Sequence, residues 1–300
     1  MLNKFRWYLE TVLFIAVSRS VAWLPDRVAL WGGKWLGRAL FRLLKRRRVI
    51  ALKNISHSLP FLERQPGWVP RGAEDLARAT FENLGLSIVE ACQIYHDKGS
   101  RLIDAVEFRG IEHYERARAR GKGIAFLTGH CGNWELLALS FGARYENLTV
   151  VAKRQKNIYL NGVLEKIRSR YGNNLVYREG ALRGMFSVLR KKGVVGIHID
   201  QAASAKDGVL VDFLGRPAWT TNMLAVLARR NDVPLLPVFI HREGTRHVVV
   251  MHPEIELVPG EGELQDTVQM TACIDEYVIN HPTEWYWIHQ RWKRTPGQPS

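Results

Sequence analysis

The chain has 300 residues, 46% hydrophobic and 24% charged, so it is long enough to bury a substantial core and too apolar to be intrinsically disordered. The formal net charge of +14 predicts an anionic partner, either a nucleic acid or a membrane with phosphate-bearing lipids, and the ten tryptophans favour the membrane. Only three cysteines occur, none in a metal-ligand spacing, which argues against a disulfide framework and predicts a reducing compartment.

The first 60 residues differ from the rest of the chain. Residues 7–24 form an apolar segment with a tryptophan near each end, and Pro25 follows it. The uninterrupted apolar run within this segment covers residues 11–17, too short for a confident spanning helix, which needs about 20 apolar residues. No cleavage site of a signal peptide stands out.

A basic helix is predicted next. Lys34, Arg38 and Arg42 recur every four residues and so share one helix face, and residues 45–48 are all basic. A basic amphipathic helix with tryptophans is typical of a segment that lies in a membrane interface, although an ordinary surface helix with a solvated basic face has the same pattern. We therefore predict a membrane-associating region over residues 1–60 and one main domain over residues 61–300.

Strands and helices alternate through the main domain, after a Pro/Gly-bearing loop at 59–72 and a helix at 73–97. Strands are predicted at 123–128, 148–152, 194–199, 235–240 and 247–251. Helices are predicted at 133–141, 160–171, 182–192, 220–230 and 265–280. This alternation indicates an α/β fold with a mostly parallel central sheet flanked by helices. There is no Walker loop and no GxGxxG, so we predict no nucleotide cofactor, and no metal site.

The stretch AFLTGHCGNWELL places polar residues where the first of these strands ends. Asn133 is a predicted N-cap, which puts Glu135 in the first helical turn, where the helix dipole favours its charge. The loop can fold His130 back towards Glu135, so that the carboxylate fixes the imidazole tautomer and the other ring nitrogen takes a proton from a hydroxyl. The alternative is a polar residue at a strand end beside an ordinary helix-start glutamate.

Cys131 stands next to this histidine. A Cys/His nucleophile pair is conceivable, but adjacent residues project in different directions and no third member of a triad is placed for it. We predict a packed structural cysteine.

Four stretches in order resemble the bacterial lipid A biosynthesis (lauroyl/myristoyl) acyltransferase family, within the H-x4-D/E lysophospholipid acyltransferase-like superfamily. They are GHCGNWE, VVAKRQKNIYLNGVLEKIRSRYG, GVVGIHIDQAASAKDGVLVDFLGRPAWTT and NHPTEWYWIHQRWK, and together they lie within about residues 105–295. The resemblance implies a glycerolipid acyltransferase-like fold and makes residues 61–300 an acyltransferase domain. This sequence departs from the family pattern at Cys131, where phenylalanine is usual, and at Lys153 and Arg154, where Arg-Pro is frequent.

The resemblance implies acyl transfer without a covalent enzyme intermediate. His130 would deprotonate a hydroxyl of the acceptor, Glu135 would orient His130, and the hydroxyl would attack the thioester of an acyl carrier protein or coenzyme A. Further substrate-binding or oxyanion-stabilising candidates are Asn133, Lys153, Arg154, Arg168, Asp200 and Gln201. For two of these a structural reading stays open: Asp200 as the cap of a loop, and Arg168 as part of a solvated helix face.

The predicted acceptor is a lipid A precursor, at the cytoplasmic face of a bacterial inner membrane. The same chemistry on another lipid, a glycosylated phosphatidylinositol or an amino-acid lipid, is the alternative. Two remote alternatives are a basic nucleic-acid-binding protein, for which no recognised module is present, and a thiol hydrolase using Cys131.

Two further motifs are assigned structural roles. The letters EGTR at 243–246 resemble a block of glycerol-phosphate acyltransferases, but they follow an apolar strand and are predicted to form a hairpin turn. The tryptophans at 285, 287 and 292 and His289 are predicted to pack in the core or at an interface.

Overall fold

The computed structural model describes residues 2–96, 99–177, 180–260 and 262–295. The last five residues of the predicted 61–300 domain therefore lie outside the described residues. The described ranges contain eleven α-helices and nine β-strands. The helices are α1 Leu2–Ala22, α2 Asp26–Leu43, α3 Lys45–Leu62, α4 Ala73–Tyr95, α5 Ser100–Asp104, α6 Ile111–Ala119, α7 Trp134–Arg144, α8 Ile158–Ser169, α9 Ala181–Arg190, α10 Met223–Asn231 and α11 Glu263–Asn280.

Seven strands form the central sheet, in the order β1-β9-β8-β2-β5-β3-β4, and two form a separate hairpin, β6-β7. The strands are β1 Glu107–Arg109, β2 Ile124–Thr128, β3 Leu148–Ala152, β4 Asn174–Tyr177, β5 Val194–His198, β6 Gly208–Phe213, β7 Arg216–Thr221, β8 Leu235–Glu243 and β9 Arg246–Met251. All neighbours in the large sheet are parallel except β8 and β9. The predicted mostly parallel α/β sheet is thus confirmed.

The β8–β9 pair is antiparallel, with Glu243 opposite Arg246, so the predicted hairpin turn at the EGTR letters is confirmed. Gly244 has a positive φ of 65°, the left-handed conformation that tight hairpin turns require. This hairpin reverses the direction of the chain, so β9 and its parallel neighbour β1 are antiparallel to the other five strands.

The secondary-structure prediction missed strands β1 and β4 and helices α5 and α6, and three further parts of it are wrong. The β6–β7 hairpin occupies residues 208–221, where no strand was predicted, and the helix predicted at 220–230 begins only at Met223 because Thr220 and Thr221 belong to β7. The predicted loop at 59–72 is shorter, since α3 continues to Leu62 and carries Pro60 in its last turn. Only some residues of each hairpin strand are buried, a weaker signal than the nearly continuous burial of β2 and β5.

The central sheet is covered on both faces. One buried cluster contains side chains from α3, α4, α10, α11 and the C-terminal tryptophans, and the other contains side chains from α6, α7 and α8. Because β2 and β5 are enclosed on both sides, they are apolar along nearly their whole length. The polar ends of these two strands are therefore the places where chemistry can be presented.

Helices α2 and α4 touch backbone to backbone. A Cβ atom on Gly37 would lie 2.2 Å from the Phe81 carbonyl oxygen, and one on Gly85 would lie 2.1 Å from the Gly33 carbonyl oxygen. Only glycine fits such an approach. The contact turns Trp31 and Trp35 of α2 outward, with exposed fractions of 69% and 60%.

Within the described ranges, none of the helices combines the length and the apolar character needed to cross a bilayer.

Candidate active site

The register of the sheet brings the His130 loop and the Asp200 loop together. Strands β2 and β5 are parallel neighbours, and Thr128 lies opposite His198. Two residues beyond each of these, the chain has left the sheet, and His130 meets Asp200 at its carboxyl edge. In open α/β sheets this edge is where ligand sites form.

Both atoms that face Asp200 from His130 are nitrogens. The Nδ1 atom of His130 lies 2.8 Å from Oδ1 of Asp200, and the His130 backbone N–H donates to Oδ2 of Asp200 over 2.8 Å. The Nε2 atom lies 3.1 Å from Nε2 of Gln201. A carboxylate can only accept, so Nδ1 carries the proton and Nε2 is left as an acceptor for the Gln201 amide. This is the tautomer that a general base needs.

The electrostatics favour an ionised aspartate beside this histidine. Burial alone would raise the pKa of Asp200, but the charge of His130 and the hydrogen bonds from His130 hold that pKa well below its ordinary value. Asp200 is 2% exposed, whereas the His130 side chain is 19% exposed. The imidazole of His130 is thus reachable from solvent, and the Asp200 carboxylate is not.

A second histidine lies against His130. The ring centroids of His130 and His198 are 4.5 Å apart. Burial, followed by the neighbouring His130, lowers the pKa of His198 to about 3, so His198 is neutral at physiological pH. The arrangement therefore has one ring that can take a proton and one that stays uncharged.

Glu135 does not contact His130 in the way the sequence predicted. Its carboxylate accepts from Nε of Arg168 at 3.0 and 3.2 Å and from Nη2 of the same guanidinium. The predicted hydrogen bond between His130 and Glu135 is replaced by the bond to Asp200, because the helix that begins after Asn133 points Glu135 towards α8. Asp200, a candidate for ordering substrate, is thus the carboxylate bound to His130. Arg168 is paired with Glu135. Burial alone would lower the pKa of the Arg168 guanidinium, but the hydrogen bond to Glu135 and the charge of Glu135 raise that pKa above its ordinary value.

Because the Glu135–Arg168 pair is partly exposed, we expect its loss to be milder than the loss of Asp200. Glu135→Gln should lower the rate of acyl transfer by about tenfold, the lower end of what one hydrogen bond to a charged group contributes. Arg168→Gln should give a similar loss. Lys166→Gln removes an exposed charge from the same helix without touching Glu135 and serves as the control. Steady-state rates of the three variants test the pair, and a loss in Lys166→Gln as large as in Arg168→Gln would contradict it.

Asn133 is the N-cap of α7, as predicted. Its side-chain oxygen accepts from the Leu136 backbone N–H over 3.1 Å, and its amide donates to Glu90 over 2.7 Å. Glu90 is buried and also accepts from Arg242 over 2.8 Å. Asn133 is therefore tied into a buried polar network below the loop, and it is 4% exposed. That position favours a structural role over contact with substrate.

Lys153 and Arg154 follow β3 and are exposed at the same edge of the sheet. The Arg154 guanidinium lies over the Tyr177 ring, 4.2 Å from its centroid. Since β3 is separated from β2 by β5 alone, these cations begin on the order of 10 Å from the His130 strand, given a strand spacing of about 4.8 Å. This places positive charge beside the site rather than on the imidazole.

Cys131 faces inward. Its side chain is 1% exposed, and its backbone forms an antiparallel bridge with Trp285. Burial and the nearby carboxylates of Asp200 and Glu284 raise the pKa of the thiol well above its usual value. A neutral, enclosed thiol is a poor nucleophile, which agrees with the predicted structural role.

The turn itself is held by the segment 281–292, which we call the C-terminal segment. Gly132 donates its N–H to the Glu284 carbonyl over 2.8 Å, and Tyr286 donates to the His130 carbonyl over 3.1 Å. Gly132 has a φ of 52°, and a Cβ there would lie 2.3 Å from the Ile240 carbonyl oxygen, so the turn requires glycine. The indole N–H of Trp285 donates to Oδ2 of Asp200 over 2.9 Å. The tryptophans are buried as predicted, but one of them also reaches the site.

A small, mainly apolar cavity is lined in part by His198 and Trp134, whose rings neighbour His130. Its lining residues are Phe126, Thr128, Trp134, Leu137, Ala138, Leu148, Val150, Gly196, His198 and Val238. In the described ranges, no group of three or more His, Cys, Asp or Glu side chains is arranged to hold a metal ion.

The site lies at the carboxyl edge of a parallel sheet, and comparison with known proteins identifies the class of protein. Residues 3–294 match the sequence model of the family described as bacterial lipid A biosynthesis acyltransferase, so the chain belongs to that family. It is accordingly an acyltransferase, as the sequence predicted.

Several named proteins are similar in sequence to this chain over most of its length. The chain is 26% identical to the lipid A biosynthesis lauroyltransferase of Escherichia coli, across 98% of this chain and 94% of the relative. It is 25% identical to the lipid A biosynthesis palmitoleoyltransferase of the same organism, across 97% and 91%. A phosphatidylinositol mannoside acyltransferase of Mycobacterium tuberculosis is 28% identical over 66% of this chain and 63% of its own.

Proposed function

We propose that the protein transfers a fatty acyl chain from an acyl thioester, carried by an acyl carrier protein or coenzyme A, to a hydroxyl of a lipid A precursor. The single observation that carries the chemistry is the imidazole of His130, with Nδ1 on the buried carboxylate of Asp200 and Nε2 at the accessible side. The family supports the lipid A precursor as acceptor.

In the proposed reaction, the acceptor hydroxyl takes the place of the Gln201 amide at Nε2 of His130. Nε2 removes the hydroxyl proton as the oxygen attacks the thioester carbon, and Asp200 stabilises the imidazolium that forms. The tetrahedral intermediate collapses with loss of the thiolate, which receives the proton from His130. No covalent enzyme intermediate is needed because the substrate itself supplies the nucleophile.

The developing oxyanion needs a donor. The Gln201 amide is within 3.1 Å of Nε2 before substrate binds and is free to turn to the oxyanion once the hydroxyl displaces it. The exposed Lys153 and Arg154 supply positive charge at the same edge, suited to the phosphates of a lipid acceptor or an acidic carrier protein. Glu135, paired with Arg168, then supports the site without touching the base.

The N-terminal region, proposed as residues 1–60, presents an apolar surface that suits a membrane interface. The large hydrophobic side chains of α1 that are exposed are Phe5, Tyr8, Leu9, Val12, Leu13 and Val17. Trp31 and Trp35 of α2 point outward beside the exposed Lys34, Arg38 and Arg42, a combination that attracts anionic lipid. This surface supports an interfacial position for the region, and we propose the cytoplasmic face of a bacterial inner membrane for the protein.

If α2 docks on lipid, the double variant Trp31→Ala/Trp35→Ala should bind anionic vesicles at least about tenfold more weakly, since burying one aromatic side chain contributes about 1.5–3 kcal/mol. Co-sedimentation with phosphatidylglycerol and phosphatidylcholine vesicles measures this. Leu264→Ala/Val268→Ala removes exposed apolar side chains from α11 and is the matched control. Equal binding by both double variants would refute the α2 surface.

The acyltransferase assay uses the purified full chain with a fatty acyl thioester and a lipid A precursor, followed by mass spectrometry of the lipid. A mass gain of one acyl chain is the expected result, and separate reactions with carrier-protein and coenzyme A thioesters identify the donor. Absence of product in both reactions, with the carrier-protein thioester and with the coenzyme A thioester, would contradict the lipid A assignment.

The similarity to a phosphatidylinositol mannoside acyltransferase supports a second acceptor class, a glycosylated phosphatidylinositol. Lipids from a strain that lacks the gene distinguish the two. Lipid A that has lost one acyl chain supports the first proposal, and unchanged lipid A with an altered glycolipid supports the second.

A further inference from the structure

The C-terminal segment contacts both loops of the site. It bonds to the His130 loop through Glu284 and Tyr286, as described above. It also reaches the Asp200 loop, because Arg291 donates to the Gln201 carbonyl over 3.3 Å. Two loops that come from different strands are thus held by one stretch of chain.

Trp285 makes the contact closest to the chemistry. Its indole N–H lies 2.9 Å from Oδ2 of Asp200, the oxygen that also accepts the His130 backbone N–H over 2.8 Å. The other carboxylate oxygen, Oδ1, faces Nδ1 of the imidazole. Oδ2 is therefore held by two donors, and Oδ1 is left for the base.

Burial alone does not explain the direction of this indole. Three tryptophans of the segment are buried in contact with the same core. The N–H of Trp287 donates to the Pro282 carbonyl over 2.7 Å, and the indole nitrogen of Trp292 has no hydrogen-bond partner among the described residues. Of these three described indole groups, only that of Trp285 donates its N–H to Asp200.

We infer that Trp285 is a positioning residue of the acyl transfer, whose indole N–H fixes Asp200 so that the carboxylate holds His130 as a base. This inference rests on the proposed function. The last side-chain torsion of an aspartate has broad, roughly two-fold preferences. A carboxylate with fewer hydrogen-bond donors around it therefore rotates over a wider range of orientations. With Oδ2 pinned by the indole and the backbone, rotation would break two hydrogen bonds at once.

Other charged and titratable groups also face this carboxylate. Burial lowers the pKa of His198, His289 and Arg291, and the charge of Asp200 opposes that shift in each. After burial, the same charge raises the pKa of the Cys131 thiol. The guanidinium of Arg291 donates instead to the backbone carbonyls of Gln201 and Trp219 and to the Thr220 hydroxyl. In the described part of the chain, the hydrogen bonds to Asp200 come from His130 and Trp285.

The test compares Trp285→Phe with Trp292→Phe in the full chain. Each keeps an aromatic ring in the same cluster, but only the first removes a donor from Asp200. We expect Trp285→Phe to lower kcat by about 10- to 100-fold, the range for a hydrogen bond to a charged group, with little change in KM. The less stabilised carboxylate attracts the imidazolium more strongly, so the acidic limb of the kcat/KM profile should move to higher pH. Trp292→Phe should leave both the rate and the limb unchanged.

A double-mutant cycle separates positioning from simple packing. In the Asp200→Asn background, Trp285→Phe should cost little further, because the group through which it acts is already altered. Equal losses in Trp285→Phe and Trp292→Phe, an acidic limb that does not move, or additive losses in the double variant would each overturn the inference.

A second measurement covers the case in which Trp285→Phe does not fold. The wild-type chain labelled with 15N-tryptophan should show, among its protected indole N–H signals, one that shifts and loses protection in Asp200→Ala, which removes the acceptor of the Trp285 N–H. Indole signals that are the same in both proteins would overturn the inference. This readout needs no activity, so a failure of the proposed function, seen as no acyl transfer by the wild-type protein, is distinguished from a failure of this inference.

Discussion

His130→Ala is expected to lower the rate of acyl transfer by about 10²- to 10⁴-fold, the contribution of a positioned general base. The imidazole is the group whose Nε2 faces the accessible side of the site, and the neighbouring His198 is partly buried and neutral. The backbone bonds of His130 to Asp200 and Tyr286 do not need the ring, so the turn should keep its shape. The loss should therefore appear in kcat with the variant still folded.

The measurement is the single-turnover rate of acyl transfer with saturating thioester, with circular dichroism and thermal unfolding as checks on the fold. Cys131→Ala is the matched control, since it changes the adjacent residue, whose thiol is enclosed and neutral. It should retain the wild-type rate. Equal turnover by His130→Ala and the wild type would refute the general-base mechanism, and loss in Cys131→Ala alone would favour a thiol nucleophile.

Asp200→Asn is expected to reduce the rate by about 10⁴-fold, the loss caused by the same substitution in a Ser-His-Asp triad and the upper end of the range for His130→Ala. The position of Oδ2 receives two N–H donors, from the His130 backbone and from Trp285, so the amide oxygen of asparagine must lie there. Its NH2 group then faces Nδ1 of His130 and forces that nitrogen to accept. The ring proton moves to Nε2, and the base is lost although the shape is kept.

Asp275→Asn provides the control for this substitution. Asp275 is a partly buried carboxyl that accepts from the Leu214 backbone N–H over 3.1 Å, away from His130, and burial raises its pKa to about 7. Both variants should unfold cooperatively, but only Asp200→Asn should lose transfer. A rate for Asp200→Asn above that of Glu135→Gln would reverse the ranking of the two carboxylates and restore Glu135 as the partner of the base.

The sequence was sufficient wherever the signal is local. The apolar run before Gly129 predicts strand β2, and Asn133 predicts the start of α7, because burial on both faces and N-capping depend on residues that are close in the chain. The position of His130 at a strand end follows from the same two elements. The remote β6–β7 hairpin was missed because its alternating strands gain their stability from contacts with α11 that no short window contains.

What the sequence could not determine is which carboxylate meets the imidazole. Glu135 is five residues from His130 and Asp200 is seventy, so chain proximity favoured the wrong partner. The order of the sheet decided otherwise, because β2 and β5 are hydrogen-bonded neighbours in a register that ends with His130 beside Asp200. In the same way, packing of α7 against α8 brings Glu135 into a salt bridge with Arg168. The sequence by itself determined the α/β fold and the histidine at the strand end, whereas hydrogen bonding between distant strands and packing between helices determined its partners.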